Sequence, residues 1–394
     1  MMRVSLAPPR NPALDAPAPL LLDPAGAVTI LGGFTGALPV PIAPAAYTLF
    51  APRGGALLGP EGPLVVADTG HHRLLVWRRR PRVDLEPADF VLGQSSFEHE
   101  RRNAGGDATA ATFNVPTGVA AGAGALAVAD AWNHRVLIWR GVPRENQPAD
   151  VVLGQAGPRA CLPNRGASSA AADTLNWCYG VAIHDGKLWV ADTGNRRVLM
   201  WNGIPERHGA PADLVLGQRS HIARDENAGA GPGPVGMRWP HAIAVWCGEL
   251  MVADAGNNRV MGWRSPPSFD GEPCDYVLGQ ATTSEVDHNR GAHYPTAASL
   301  NMPYGLAVLG DRLAVADTAS SRIVGFAPQS RTSNALARSL SGQLRFCDKG
   351  DNRWGPIARD SMSWPYAITA CGTTAVVADT GNNRVLLWES APCV

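Results

Sequence analysis

Hydrophobic residues along this chain come in short runs that end on polar punctuation. Leu126-Ala127-Val128-Ala129 runs into Asp130, a short polar turn follows, and Arg135 opens a second run, Val136-Leu137-Ile138-Trp139. A loop then leads to Asp150 and a third run, Val151-Val152-Leu153, which stops at Gly154-Gln155. Ahead of the Asp lies a further apolar stretch, Gly118-Val119-Ala120-Ala121. Runs this short, rich in β-branched residues and bounded by Gly, Asn and Asp, predict strands, and no long stretch shows the 3.6-residue periodicity of an amphipathic helix.

The same phrase recurs six times. Its Asp falls at 68, 130, 192, 254, 317 and 379, in steps of 62, 62, 62, 63 and 62 residues, with an Arg five positions after each. Four strands per unit, six times over, predicts an all-β six-bladed β-propeller. The turn between Asp and Arg must tolerate positive φ, and Gly70, Gly194, Gly256, Gly381, Asn133, Asn195, Asn257 and Asn382 occupy it. The Asp–Arg pairs therefore read as hairpin framework. The chain ends after Arg384-Val385-Leu386-Leu387-Trp388, one strand short of a full blade, and 28–33 has the composition of the missing strand. The expectation is that 27–33 completes the sixth blade from the other end of the chain, which removes an open sheet edge. Residues 27–394 then form a single propeller, and 1–26 an arm outside it.

Composition narrows the partners. Lys+Arg and Asp+Glu balance at 34 each, so no global charge draws the chain to nucleic acid. No basic segment followed by an apolar stretch opens the chain, and no run reaches the length of a membrane span. These features point to a soluble cytoplasmic protein, monomeric by default, with an exported form left open. The cysteines number seven and include no CxxC motif, so thiols are expected. In an exported protein, Cys247–Cys274, Cys371–Cys393 and Cys161–Cys178 would be the pairs to test.

Long segments separate the blades: 95–113, 156–175, 219–237, 281–300 and 344–362. On one face of a rigid ring they mark the functional side. An Asn recurs in each of them (Asn103, Asn164, Asn227, Asn289 and Asn352), which reads as a structural turn. The residue thirteen before each repeat Asp should start the innermost strand and line the channel mouth: Gly55, Thr117, Tyr179, His241, Tyr304 and Tyr366. Two positions earlier stand Arg53, Val115, Trp177, Trp239, Met302 and Trp364. Trp, Tyr and His thus gather on one side of the mouth, and Arg53 offers a contact for a carboxylate or phosphate. Cys178 replaces the Pro found at 116, 240, 303 and 365, and Trp132 replaces a turn Gly. An aromatic wall of this kind suits a flat, cationic or peptide ligand. The same residues would equally serve as a plug packed under the long segments. His71, His72 and His134 fall in the turns and are expected to be solvated.

The phrases Ala378-Asp379-Thr380-Gly381-Asn382-Asn383-Arg384-Val385-Leu386 and Asn301-Met302-Pro303-Tyr304-Gly305-Leu306-Ala307-Val308 resemble the NHL repeat, over about residues 27–390. The resemblance implies a propeller, with about 20 residues more per unit than the usual blade of about 40–45. NHL-repeat propellers include protein- and RNA-binding modules and a few lyases, so fold alone does not select the function. A more distant likeness is to peptidylglycine alpha-amidating lyase, an NHL-type propeller that holds zinc with histidines at its channel. Trp239-Pro240-His241 matches the setting of one of those ligands. That likeness implies a divalent transition metal at His241, with Tyr179, Tyr304 or Tyr366 as acid or base. No second inner-ring His is present, so His99, Cys161, His221, His288, His293 or Cys347 would have to lean inward to complete the site. The clustered His and Glu of streptogramin lyase are not seen. Two readings stay open: a module binding a peptide, protein or small organic ligand, and a metal-dependent lyase or peptide-modifying enzyme. Nucleic acid and membrane are disfavoured as partners.

Overall fold

The computed structural model describes residues 17–33 and 43–392. Residues 1–16 of the expected arm and Cys393 lie outside the described residues. The chain forms six four-stranded antiparallel sheets arranged in a ring. Blades one to five span 54–92, 116–153, 178–216, 240–278 and 303–341, each running outward from its first strand. The sixth comprises Pro365–Cys371, Thr374–Asp379 and Arg384–Glu389, and its outer strand is Thr29–Gly32 from the opposite end of the chain. Ile30 pairs with Leu386 and Thr29 with Leu387, so the N-terminal strand closes the last blade as the sequence predicts. Among the described residues the helical pieces are 3-10 turns of three or four residues, and no helix is long and apolar enough to cross a membrane.

The hydrophobic core is distributed over six interfaces, each drawing on two neighbouring blades. Ala127, Val136 and Ile138 of blade two pack with Val190, Leu199 and Val215 of blade three. Near the end of the third strand stands a buried Trp whose indole N–H reaches a carbonyl in the following loop. Trp77 donates to Glu86, Trp139 to Gln147 and Trp263 to Glu272. Trp388 instead donates to the Asp23 carbonyl, tying the start of the described chain to its end. Leu21 and Leu22 are buried in the same joint between blades five and six.

Outer strands expose a backbone edge that invites pairing with another sheet. Here the next blade's loop caps it: Val152 N–H donates to His208, Val215 to Asp270, Val277 to Ser333 and Ile30 to Asp84. Arg359 completes the cap on the closing strand, bridging Asp84 to the carbonyls of Ala27 and Val28.

The repeat Asp and Arg are buried in every blade. Asp130 accepts from Arg135 Nε at 2.7 Å, from Asn133 Nδ2 and from the Asn114 N–H. The remaining guanidinium nitrogens of Arg135 donate to the carbonyls of Thr109 and Thr112 in the preceding inter-blade segment and of Pro158 in the following one. Arg197 and Arg322 repeat the arrangement. The expected framework pair is therefore also the peg on which two successive long segments hang. The recurrent Asn serves the same end: Asn103, Asn164, Asn227 and Asn352 sit in left-handed turns and bond Asn133, Asn195, Asn257 and Asn382.

Candidate functional site

The innermost strands begin on the face that carries the long segments, and their first side chains meet over the axis. The His241 ring lies 4.3 Å from that of Tyr304 and 5.2 Å from that of Tyr179, both stacked. Tyr366 closes on Tyr304 at 4.7 Å and meets His241 edge-on at 5.9 Å. The Arg53 guanidinium covers the Tyr366 ring at 4.9 Å.

One assignment in this ring is corrected by the structure. Blade one contributes Arg53, and Gly55 lies further along the strand. The Thr380 hydroxyl donates to the Pro52 carbonyl as Thr69 does to Pro116, Thr193 to Pro240 and Thr318 to Pro365. Pro52 is therefore the equivalent of those prolines, and Arg53 that of Thr117, Tyr179, His241, Tyr304 and Tyr366. The cause is the first hairpin of blade one. Leu57 pairs with Leu64, whereas Ala121 pairs with Leu126, so its turn is two residues longer and counting thirteen back from Asp68 stops two residues short.

The position just before the innermost strand bends out of the sheet in five of the six blades, and in three blades it places a Trp at the mouth. Ala51, Val115, Trp177, Met302 and Trp364 all have φ between 47 and 59°. That left-handed backbone costs roughly 1–2 kcal/mol per residue, and each N–H is met by a side chain of the preceding blade's turn. Val115 donates to His72 Nδ1, Trp177 to His134 Nδ1, Met302 to Asn258 and Trp364 to Ser321. His72 and His134 are thus inter-blade acceptors rather than solvated turn residues, and His71 is buried with Nδ1 on Asp68. An accepting Nδ1 carries no proton. Burial lowers both His72 and His134 to about 4, with Arg102 adding to the effect at His72.

Arg196 breaks this series. It occupies the same left-handed turn position but has no lone pair to offer, so the Trp239 N–H reaches Asp254 at 3.3 Å instead. Arg196 itself bonds the carbonyls of Gly194 and Arg224 and joins the wall of the mouth. Sequence reasoning missed it, although a long cation where the other blades carry His, Asn or Ser was a legible signal.

The ring divides the axis into two cavities. Above it, on the face of the long segments, a mouth of about 530 Å³ is rimmed by Trp177, Trp239 and Trp364, with Arg53, Arg196 and the Tyr/His ring as its floor. Below it runs a channel of about 670 Å³. The ring is at once plug and floor, so the two sequence readings describe one object. Of the remaining candidates, Thr117 is buried and donates to the Tyr179 carbonyl at 2.8 Å. Cys178 is buried behind the ring with its Sγ on the Arg135 carbonyl, and burial raises its thiol well above the ordinary range. Trp132 is half-exposed on its turn and does not line the mouth.

The site's acid–base character follows from burial. His241 is lowered to about 4 by desolvation, with a smaller contribution from Arg53. Its Nδ1 lies 2.9 Å from the Trp239 carbonyl, which only accepts, so Nδ1 carries the proton and Nε2 the lone pair. Burial raises the phenols of Tyr304 and Tyr366, and both stay protonated at neutral pH. The set offers hydrogen-bond donors and flat faces, with no strong base.

These residues do not fit the metal that the distant lyase likeness implies. His241 stands among phenols with a guanidinium beside it, and among the described residues no three His, Cys, Asp or Glu side chains gather. His99 bonds Ser95 and Ser96, His221 pairs with Asp270, and His293 packs on Tyr294. Among the described residues Cys161, Cys178, Cys247, Cys274 and Cys371 are free thiols.

Comparison with known proteins agrees with this architecture. The family model described as NHL repeat matches residues 113–139. No curated protein matches the chain. A structural genomics protein of unknown function from Bacteroides thetaiotaomicron has a TM-score of 0.53 at 12% identity, covering 92% of this chain and 75% of its own. Hydrazine synthase from Kuenenia stuttgartiensis has a TM-score of 0.49 at 12% identity, covering 91% and 99%. Virginiamycin B lyase from Staphylococcus aureus has a TM-score of 0.44 at 10% identity, covering 86% and 94%. At such identities the likeness concerns fold alone. The chain is a six-bladed β-propeller in which residues 113–139 match the NHL repeat.

Proposed function

We propose that this propeller is a binding module and that its tryptophan-rimmed mouth receives an aromatic group of a peptide, a protein segment or a small organic ligand. One observation carries the reading. Trp177, Trp239 and Trp364 are 48%, 41% and 43% exposed around one cavity, at positions that cost backbone strain in two of the three cases. Large aromatic faces left partly wet around a concave floor offer area that a ring can cover, and stacked or edge-on pairs add roughly 0.5–1.5 kcal/mol each beyond burial. Charge refines the ligand. Arg53 and Arg196 line the mouth and no carboxylate does, so an anionic group beside the ring is favoured over a cationic one.

The test uses short peptides with a free C-terminal carboxylate that end in Trp, Phe or Ala, titrated by intrinsic fluorescence and calorimetry. Peptides ending in Trp and Phe bind, those ending in Ala bind at least tenfold more weakly, and Trp177→Ala with Trp364→Ala removes the difference. Equal binding of all three peptides, or aromatic preference surviving in the double variant, defeats the reading.

A further inference from the structure

The channel below the ring is a second cavity with a different chemistry, and the mouth reading does not account for it. Its wall is aliphatic, drawn from all six blades: Leu57, Val119, Val181, Ile243, Leu306 and Ile368. Its inner end is the underside of the ring, where Arg53 is the one permanently charged side chain lining the cavity. No carboxylate of the described residues lies within ion-pair distance of Arg53, and its Nε is buried without a hydrogen-bond acceptor. The outer rim holds Pro63, Gly124, Gly141, Val142 and His184 and brings no Lys or Arg.

We propose that this channel binds an amphipathic carboxylate, its head on Arg53 and its unbranched apolar tail along the aliphatic wall. The polarity of the cavity excludes the neighbouring classes. A cationic amphiphile would bring its charge against Arg53. A neutral lipid would leave the half-buried Arg53 without an anionic partner, and a dicarboxylate would find no second cation at the rim. A channel of about 670 Å³ with an aliphatic wall is of the size that encloses small ligands, and removal of the tail from water supplies the driving force for binding. The Tyr179, Tyr304 and Tyr366 side chains, which border both cavities, supply further donors to the head.

Calorimetric titration of the whole chain with octanoate, decanoate and dodecanoate, and with the matched primary alcohols, tests this. Affinity should rise about fourfold per methylene, and each carboxylate should bind at least tenfold tighter than its alcohol. Arg53→Met should abolish that preference, and Val181→Phe, which fills the channel from its wall, should weaken carboxylate and alcohol alike at least tenfold. Trp177→Ala, in the mouth, should change neither, which separates this proposal from the one above. Circular dichroism shows whether Arg53→Met folds. If it does not, the carboxylate-to-alcohol ratio on the unaltered chain and the Val181→Phe variant decide. A ratio near one, binding unaffected by Val181→Phe, or loss of binding in Trp177→Ala overturns the assignment.

Discussion

Arg135 shows why the repeat keeps Arg and not Lys. Its planar fork serves Asp130 and three carbonyls from two different long segments at once, a geometry that an ammonium on a flexible stem cannot match. Arg135→Lys leaves at least two buried carbonyls unmet, and Arg135→Met leaves the Asp130 carboxylate buried without its cation. Losses of about 2 kcal/mol for the first and about 3–5 kcal/mol for the second are expected from urea unfolding. Equal and small losses would mean that the peg carries little. Histidine at the left-handed turns is a second residue-scale lever. His72 and His134 titrate near 4 in the folded chain, below their unfolded value of about 6.5. Between those limits the unfolded state binds more protons, so stability rises with pH across about 4 to 6.5 and falls on acidification through that window. Asn stands at the equivalent positions 258 and 383 and accepts the same N–H. His72→Asn with His134→Asn should therefore retain stability at pH 7 and flatten the loss between pH 6.5 and 4.5. Discounted for solvent access, that loss is on the order of 1–2 kcal/mol per histidine. An unchanged pH profile in the double variant would place the titrating groups elsewhere.

At the scale of strands, the decisive element is the one that comes from the far end of the chain. Leu31 is 1% exposed and packs with Leu57, Val66 and Leu387, so it belongs to the joint between blades six and one. Leu31→Asp sets an unpaired charge in that joint, and its expected cost is about 3–5 kcal/mol. Because it also loosens the strand that covers the outer edge of Arg384–Glu389, aggregation on mild warming should accompany the loss, read by light scattering. A stability loss without aggregation would mean that Arg359 and Asp84 keep the edge covered. This closure was legible in the sequence because 28–33 repeats the composition of the other outer strands. The same repetition made the hairpins, the Asp–Arg pairs and the convergence of Tyr179, His241, Tyr304 and Tyr366 readable. What it hid were departures smaller than a strand. Two extra residues in one hairpin displaced Arg53 from its place in the ring. The acceptor roles of His72 and His134 depend on the neighbouring blade, some 43 residues away in sequence, and no periodic pattern reports such a partner.

For the whole molecule, the arrangement of the core determines how it comes apart. No blade owns its core, since each of the six clusters is shared by two sheets, and closure through Thr29–Gly32 makes the series of interfaces circular. Loss of any blade removes two interfaces, so partial unfolding is costly and a single cooperative transition is expected with coincident fluorescence and circular dichroism midpoints. That cooperativity makes thermal stability a sensitive reporter for anything bound on the axis, because a ligand held only by the ring stabilises every interface together. The metal question can be settled on this ground. A divalent ion held by His241 would need further ligands that the ring does not provide, and would sit beside Arg53 at the cost of like-charge repulsion. The expected outcome is that the purified chain carries no stoichiometric transition metal by elemental analysis, and that chelator leaves its melting temperature unchanged. One equivalent of metal that chelator removes with a fall in melting temperature, and that His241→Ala fails to retain, would instead place metal-dependent chemistry at the ring and reopen the enzymatic reading.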